Sequence, residues 1–150
     1  MKVLLLNDAA TPGGGAEILT LGLRRELRSR GVDARIFASS ATYGPGGSEA
    51  DFSCFGTTSG LRTLNRVLNP SAFLRLREVL RSFKPDVVHV RMLMTQLSPS
   101  ILPLLGKVPS LYHATWHEAI CPNGLKLLPD GSQCTTPAGL ACLRNGCTSL

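Results

Sequence analysis

The chain has 150 residues, 43% of them apolar and 17% charged, with a formal net charge of +6; that is enough for one domain with a real core. Its apolar runs fall short of the about 18 residues a membrane-spanning helix needs, and Met1 to Asp8, with one lysine, a short apolar stretch and an early acid, is not a signal peptide. A cytoplasmic protein is expected, whose five cysteines read as free thiols or metal ligands rather than a disulfide framework.

Val3-Leu4-Leu5-Leu6 is a short apolar run with no polar alternation, the pattern of a strand buried on both faces. Asn7 to Pro12 and then Gly13-Gly14-Gly15 follow, and residues 16–30 have helical spacing. A glycine-rich turn at a helix N-terminus can bring bare N–H groups to an anion; a tight turn without ligand fits the same residues. Leu19, Leu23 and Leu27 make the apolar stripe of this helix, and Arg24, Arg25, Arg28 and Arg30 lie off it or at its C-terminal end. Gly31 stops the helix and residues 32–38 predict a second strand. The β-α-β order implies parallel strands and a right-handed crossover.

Residues 39–60 lack periodicity and predict a long, mobile surface loop, with Cys54 alone in it. Residues 61–84 are the most basic part, with Arg62, Arg66, Arg75, Arg77, Arg81 and Lys84 against Glu78. Asn69-Pro70 splits them, and Ser71 is a candidate cap for the second half. A basic amphipathic helix can lie on an anionic membrane. A helix packed on the sheet with its arginines in water is the preferred reading, with peripheral contact at the inner face of a membrane as the alternative.

Pro85 to Val90 predicts a third buried strand that includes His89. A histidine there suits a core position, and it also lies near the carboxyl end of a strand, where open sheets bind ligands. Ser98-Pro99 opens a further helix, interrupted at Pro103 and ended by Gly106. Residues 109–118 predict a fourth strand, on which His113, Thr115 and His117 would share one face, with Glu118 following. Acid–base chemistry or sugar-hydroxyl binding is expected there. Cys121, Cys134, Cys142 and Cys147 close the chain without a Cys-x-x-Cys pair. Zinc held by these four thiolates, one or two disulfides, and unlinked thiols stay open.

Four stretches together resemble the N-terminal domain of family-4 glycosyltransferases. They are Gly14-Gly15-Ala16-Glu17, Arg30-Gly31-Val32-Asp33-Ala34, Pro85 to Val90, and the stretch from Pro109 to Cys147 with Cys121-Pro122, Leu127 to Gly131 and the later cysteines. The last is similar to a cysteine-bearing subgroup. The resemblance implies an α/β, Rossmann-like three-layer domain with a mostly parallel sheet and a C-terminal cysteine-containing loop. It would be the acceptor side of a two-domain (GT-B) retaining enzyme that moves a hexose from a nucleotide-sugar donor to a hydroxyl on a glycan, a lipid-linked or a small-molecule acceptor. No metal is required for transfer in this family, so structural zinc is the one cofactor in view.

On the resemblance, Gly13, Gly14 and Gly15 form the phosphate-proximal turn and Glu17 caps or orients it. His89 and Thr115 join them as substrate-binding candidates, and His117, Glu118 and His113 are the catalytic candidates. Two departures stand out. Where subgroup relatives show His-Asp before the Cys-Pro, this chain has Thr115-Trp116, with histidines displaced to His113 and His117. The donor-binding domain, with its spaced glutamate pair, has no counterpart, so an incomplete domain without transfer activity by itself is expected. The alternative is a non-catalytic Rossmann-like binding module with a zinc- or disulfide-tied loop. Against a dehydrogenase-type domain, the glycines are contiguous and Asp33 begins its strand rather than ending it. One Trp, few other aromatics and no reading helix argue against nucleic-acid partners.

Overall fold

Val3 to Leu6 are buried to the last residue, as a strand covered on both faces requires. They belong to β1 (Lys2–Leu6), the centre of a five-stranded sheet. In the computed structural model, which describes residues 1–43, 46–60, 62–117 and 119–147, the chain divides into two compact units, Met1–His113 and Ala114–Leu150.

The first unit continues with α1 (Gly15–Ser29), β2 (Asp33–Ser39), β3 (Phe52–Cys54), α2 (Arg62–Val67), α3 (Pro70–Phe83), β4 (Val87–Val90), a 3-10 turn at Pro99–Ile101, α4 (Leu102–Leu105) and β5 (Ser110–Tyr112). The sheet order is β3-β2-β1-β4-β5 and every pairing is parallel. All strands therefore end on one rim. Leu4, Leu6, Val88 and Val90 pack with Leu76, Val79, Phe83 and Ile101 on the α3 side. Val3, Leu5, Ala34, Ile36 and Ala38 pack with Leu21, Leu23 and Leu27 on the α1 side. This is the expected three-layer α/β domain.

Four expectations need correction. The predicted stripe on α1 holds at Leu23 and Leu27 but not at Leu19, which is 60% exposed, while Thr20, Leu21 and Arg24 are buried. Arg24 can go inward because the 39–60 segment brings it acids, Glu49 at 2.8 Å and Asp51 at 3.2 Å. That segment is consequently not a structureless loop. It carries β3, and Asp51 also accepts from Arg28 at 2.6 Å and from the Ile36 N–H at 2.8 Å. The cap of α3 is Asn69, whose side chain accepts from the Ala72 N–H at 3.0 Å, while the Ser71 hydroxyl accepts from the Phe55 N–H. Finally, the strand predicted over 109–118 is β5 alone. β4 ends at Val90, the His113 N–H makes the last ladder bond to the Val90 carbonyl at 2.8 Å, and no partner backbone remains beyond it.

In the second unit, Leu127 and Gln133 form an antiparallel bridge around a turn at Asp130, whose carboxylate accepts from the N–H and hydroxyl of Ser132. A short helix, α5 (Leu140–Arg144), follows.

Candidate functional site

The carboxyl rim of the first unit gathers three predicted groups. β1 runs into Asn7 and the glycine turn, β4 carries His89, and β5 delivers His113. The rings of His89 and His113 are stacked, with centroids 5.7 Å apart and planes within 5°. His89 Nε2 is buried without a hydrogen-bond partner among the described residues. Burial holds the imidazole of His89 below its usual pKa, and the charges of Arg91 and His113 push the same way. A neutral imidazole at pH 7 can exchange a proton or a hydrogen bond with a sugar hydroxyl.

The three glycines have three different reasons. A β-carbon at Gly13 would collide with the Tyr43 carbonyl oxygen, so that glycine is demanded by packing. At Gly14 a β-carbon would lie 2.5 Å from Glu17 Oε2: the Glu17 carboxylate folds back over the turn, as the positive end of a helix favours. Gly15 faces open space. The N-cap, Gly14, has no side chain to bond the first amides of α1. An incoming anion would thus meet bare amides with a carboxylate already beside them.

Sequence reasoning passed over the groups that hold this rim. The Asp8 carboxylate accepts four bonds from the segment after β4: Thr95 N–H at 2.9 Å, Thr95 hydroxyl at 2.8 Å, and the N–H groups of Gln96 and Leu97, both at 2.8 Å. Gln96, itself buried, donates to the Tyr43 hydroxyl at 2.6 Å and to the Thr57 carbonyl at 2.9 Å. Asn7 and Arg91 are buried at the ends of adjacent strands. The signal available was an Asn-Asp pair directly after a buried strand, polar residues where the core pattern ends.

The strand predicted to carry His113, Thr115 and His117 on one face ends at Tyr112; Thr115 and His117 belong to the second unit. Glu118 lies outside the described residues. His117 lines a shallow hollow with Ile120, Leu125, Leu127 and Cys134 in that unit.

The four cysteines of the second unit are free thiols. Four thiolates are a fitting donor set for zinc, and burial followed by the neighbouring Cys142, Cys134 and Cys121 pushes the Cys147 thiol up, so Cys147 feels the other three. Cys121 Sγ lies 2.8 Å from Asn123 Oδ1, Cys134 Sγ 3.2 Å from Thr136 Oγ1, and Cys147 Sγ points to the Asn145 carbonyl. Among the described residues no three His, Cys, Asp or Glu side chains are placed to share an ion.

α3 shows water the basic face expected of it. Arg77, Arg81 and Lys107 rim a groove of about 500 Å³ over Phe73, Leu80 and Leu104. No helix among the described residues is long and apolar enough to cross a membrane.

Residues 13–131 match the family model for Glycosyltransferase Family 4. No curated protein sequence matches the chain. A solved structure, glycinamide-RNase-transformylase T from Mycobacterium tuberculosis, is similar at 18% identity with a TM-score of 0.37. This chain spans 26% of that one, with 75% of its own length in the match. A likeness at that level carries no argument.

Proposed function

This chain belongs to glycosyltransferase family 4, and from that premise we propose that it is the acceptor-side half of a retaining enzyme that transfers a hexose from a nucleotide-sugar donor to a hydroxyl acceptor. The observation that carries the reading is the convergence of the glycine turn, His89 and His113 on one rim of a parallel sheet, where open α/β sheets hold their ligands. In this role the stacked imidazoles hydrogen-bond the acceptor's hydroxyls. His113, the outer ring of the pair, takes part in moving the acceptor's proton. The amides that open α1 stabilise negative charge developing on the donor's diphosphate, so the transfer needs no metal. On this reading the donor site belongs to a second domain, and residues 1–150 supply the acceptor side.

The test is to supply a family-4 donor-side domain, fused or in trans, and assay sugar transfer to a panel of hydroxyl acceptors. Turnover is expected only with both halves, and His113→Asn should lower it at least tenfold while His117→Asn does so less. Turnover by the isolated chain, or unchanged turnover in His113→Asn together with His89→Asn, would defeat the assignment.

A further inference from the structure

Arg91 stands directly after β4 and is only 5% exposed, yet its Nε is buried without a partner. Among the described residues it forms no ion pair. The acid next along the rim, Asp8, is fully engaged by Thr95, Gln96 and Leu97. A buried guanidinium N–H without an acceptor is a cost a fold rarely keeps. Its neighbours share the condition. Asn7 Oδ1, Thr11 Oγ1 and His89 Nε2 are also buried without partners among the described residues, and all belong to the carboxyl rim. A finished core rarely leaves so many polar atoms unmatched in one place.

The strand register brings these groups together. Leu6 pairs with Val90, and the Arg91 N–H donates to the Leu6 carbonyl at 2.9 Å, which sets Arg91 opposite Asn7. Val88 and Val90 fill the α3-side core. By alternation His89 and Arg91 lie on the other face, as does Asn7, two residues after Leu5. That is the face on which α1 and its glycine turn sit. Three donors (the guanidinium, an imidazole and the Thr11 hydroxyl) and one acceptor, the Asn7 carbonyl oxygen, are thus left on the same side of one rim.

We propose that Arg91, with His89, Asn7 and Thr11, forms a binding site for a substrate oxyanion, a phosphoryl or carboxylate group on a hydroxylated carrier. The guanidinium offers two parallel N–H groups to two oxygens of the anion. His89 and Thr11 donate to the remaining oxygens, and Asn7 Oδ1 accepts from a hydroxyl of the carrier. The site rests on the glycosyltransferase reading only for which substrate brings the anion: the donor's diphosphate, a phosphorylated acceptor or an acidic sugar. Bound anion would also compensate the buried charge, so the free protein is held in a less stable form that ligand relieves.

The experiment uses the whole chain, with inorganic pyrophosphate, a nucleoside diphosphate and glucuronate as probes. Imidazole resonances of His89 and His113 are followed by NMR, and thermal unfolding with and without each probe. At least one probe should shift both rings saturably and raise the midpoint of unfolding. Tightest binding by the nucleotide assigns the anion to the donor, equal binding of pyrophosphate assigns it to a phosphorylated acceptor, and preference for glucuronate assigns it to a carboxylate. Arg91→Met should weaken that binding at least tenfold and leave the ligand-free protein as stable or more stable, because the unsatisfied buried N–H is gone. Arg77→Gln, on the exposed face of α3, should change neither. The proposal is overturned if no probe moves the two rings, if binding survives in Arg91→Met, or if that variant is less stable than the parent without ligand. Neither measurement needs sugar transfer, so a negative turnover assay and a negative titration are separate results.

Discussion

The Asp8 latch lends itself to a quantitative test. Four donors converge on a carboxylate only 2% exposed: the N–H and hydroxyl of Thr95 on Oδ2, and the N–H groups of Gln96 and Leu97 on Oδ1. Asp8→Asn keeps the shape but replaces one acceptor oxygen with an NH2 that faces donors. Three of the four contacts survive at best, with the Thr95 hydroxyl turning to accept from the new NH2; the Thr95 N–H is then left without an acceptor and the remaining bonds lose the help of the charge. Each buried donor left unsatisfied costs about 1–3 kcal/mol, so the variant should lose about 3 kcal/mol. For a chain of this size that corresponds to a fall of about 6–12 °C in unfolding midpoint. Urea unfolding followed by circular dichroism measures the loss, and an unchanged denaturant slope shows that stability alone has moved. Amide exchange at Gln96 and Leu97 should accelerate with it, since the loop is no longer held. An Asp8→Asn protein within about 1 kcal/mol of the parent, with those amides still protected, would refute the accounting.

Asp51 predicts an acid limb of stability. Burial pushes its carboxyl up, but the Ile36 N–H and the guanidinium groups of Arg28 and Arg24 outweigh that and hold it below its usual pKa. A carboxylate lowered on folding contributes stability that is present above its unfolded pKa and lost as pH falls through the folded one. Unfolding midpoints should therefore drop below about pH 4, and Asp51→Asn should flatten that drop. Gly13→Ala should destabilise by about 2 kcal/mol or more through collision with Tyr43, whereas Gly15→Ala should be near neutral to folding, so a loss of transfer in Gly15→Ala would report ligand approach. The Cys54 thiol, pushed up to about 12 by burial and then by the charge of Asp8, should stay unreactive to a thiol reagent in the native chain. Cys134, lowered by the Thr136 hydroxyl and amide, should react first; equal rates for the two in a timed thiol titration would contradict the placement of Cys54.

Much of this protein is written in local patterns. The all-apolar β1, the glycine-led helix after it, the strand at Val87–Val90 and the Ser98-Pro99 helix start can each be read from a few adjacent residues, because burial on two faces, turn chemistry and capping are short-range demands. From these the parallel α/β class follows, and with it the placement of Gly13–Gly15, His89 and His113 on one rim. What the sequence left undecided depends on partners far along the chain. Arg24 turns inward only because Glu49 and Asp51 reach it, β3 exists only because β2 offers it an edge, and β5 stops where β4 stops. The same holds for the site. Asp8 and Arg91 are ordinary surface residue types, and only the register of β1 against β4 sets one beneath four donors and buries the Nε–H of the other with no acceptor among the described residues, since a strand's neighbours are chosen by pairing across the sheet and not by adjacency in the chain.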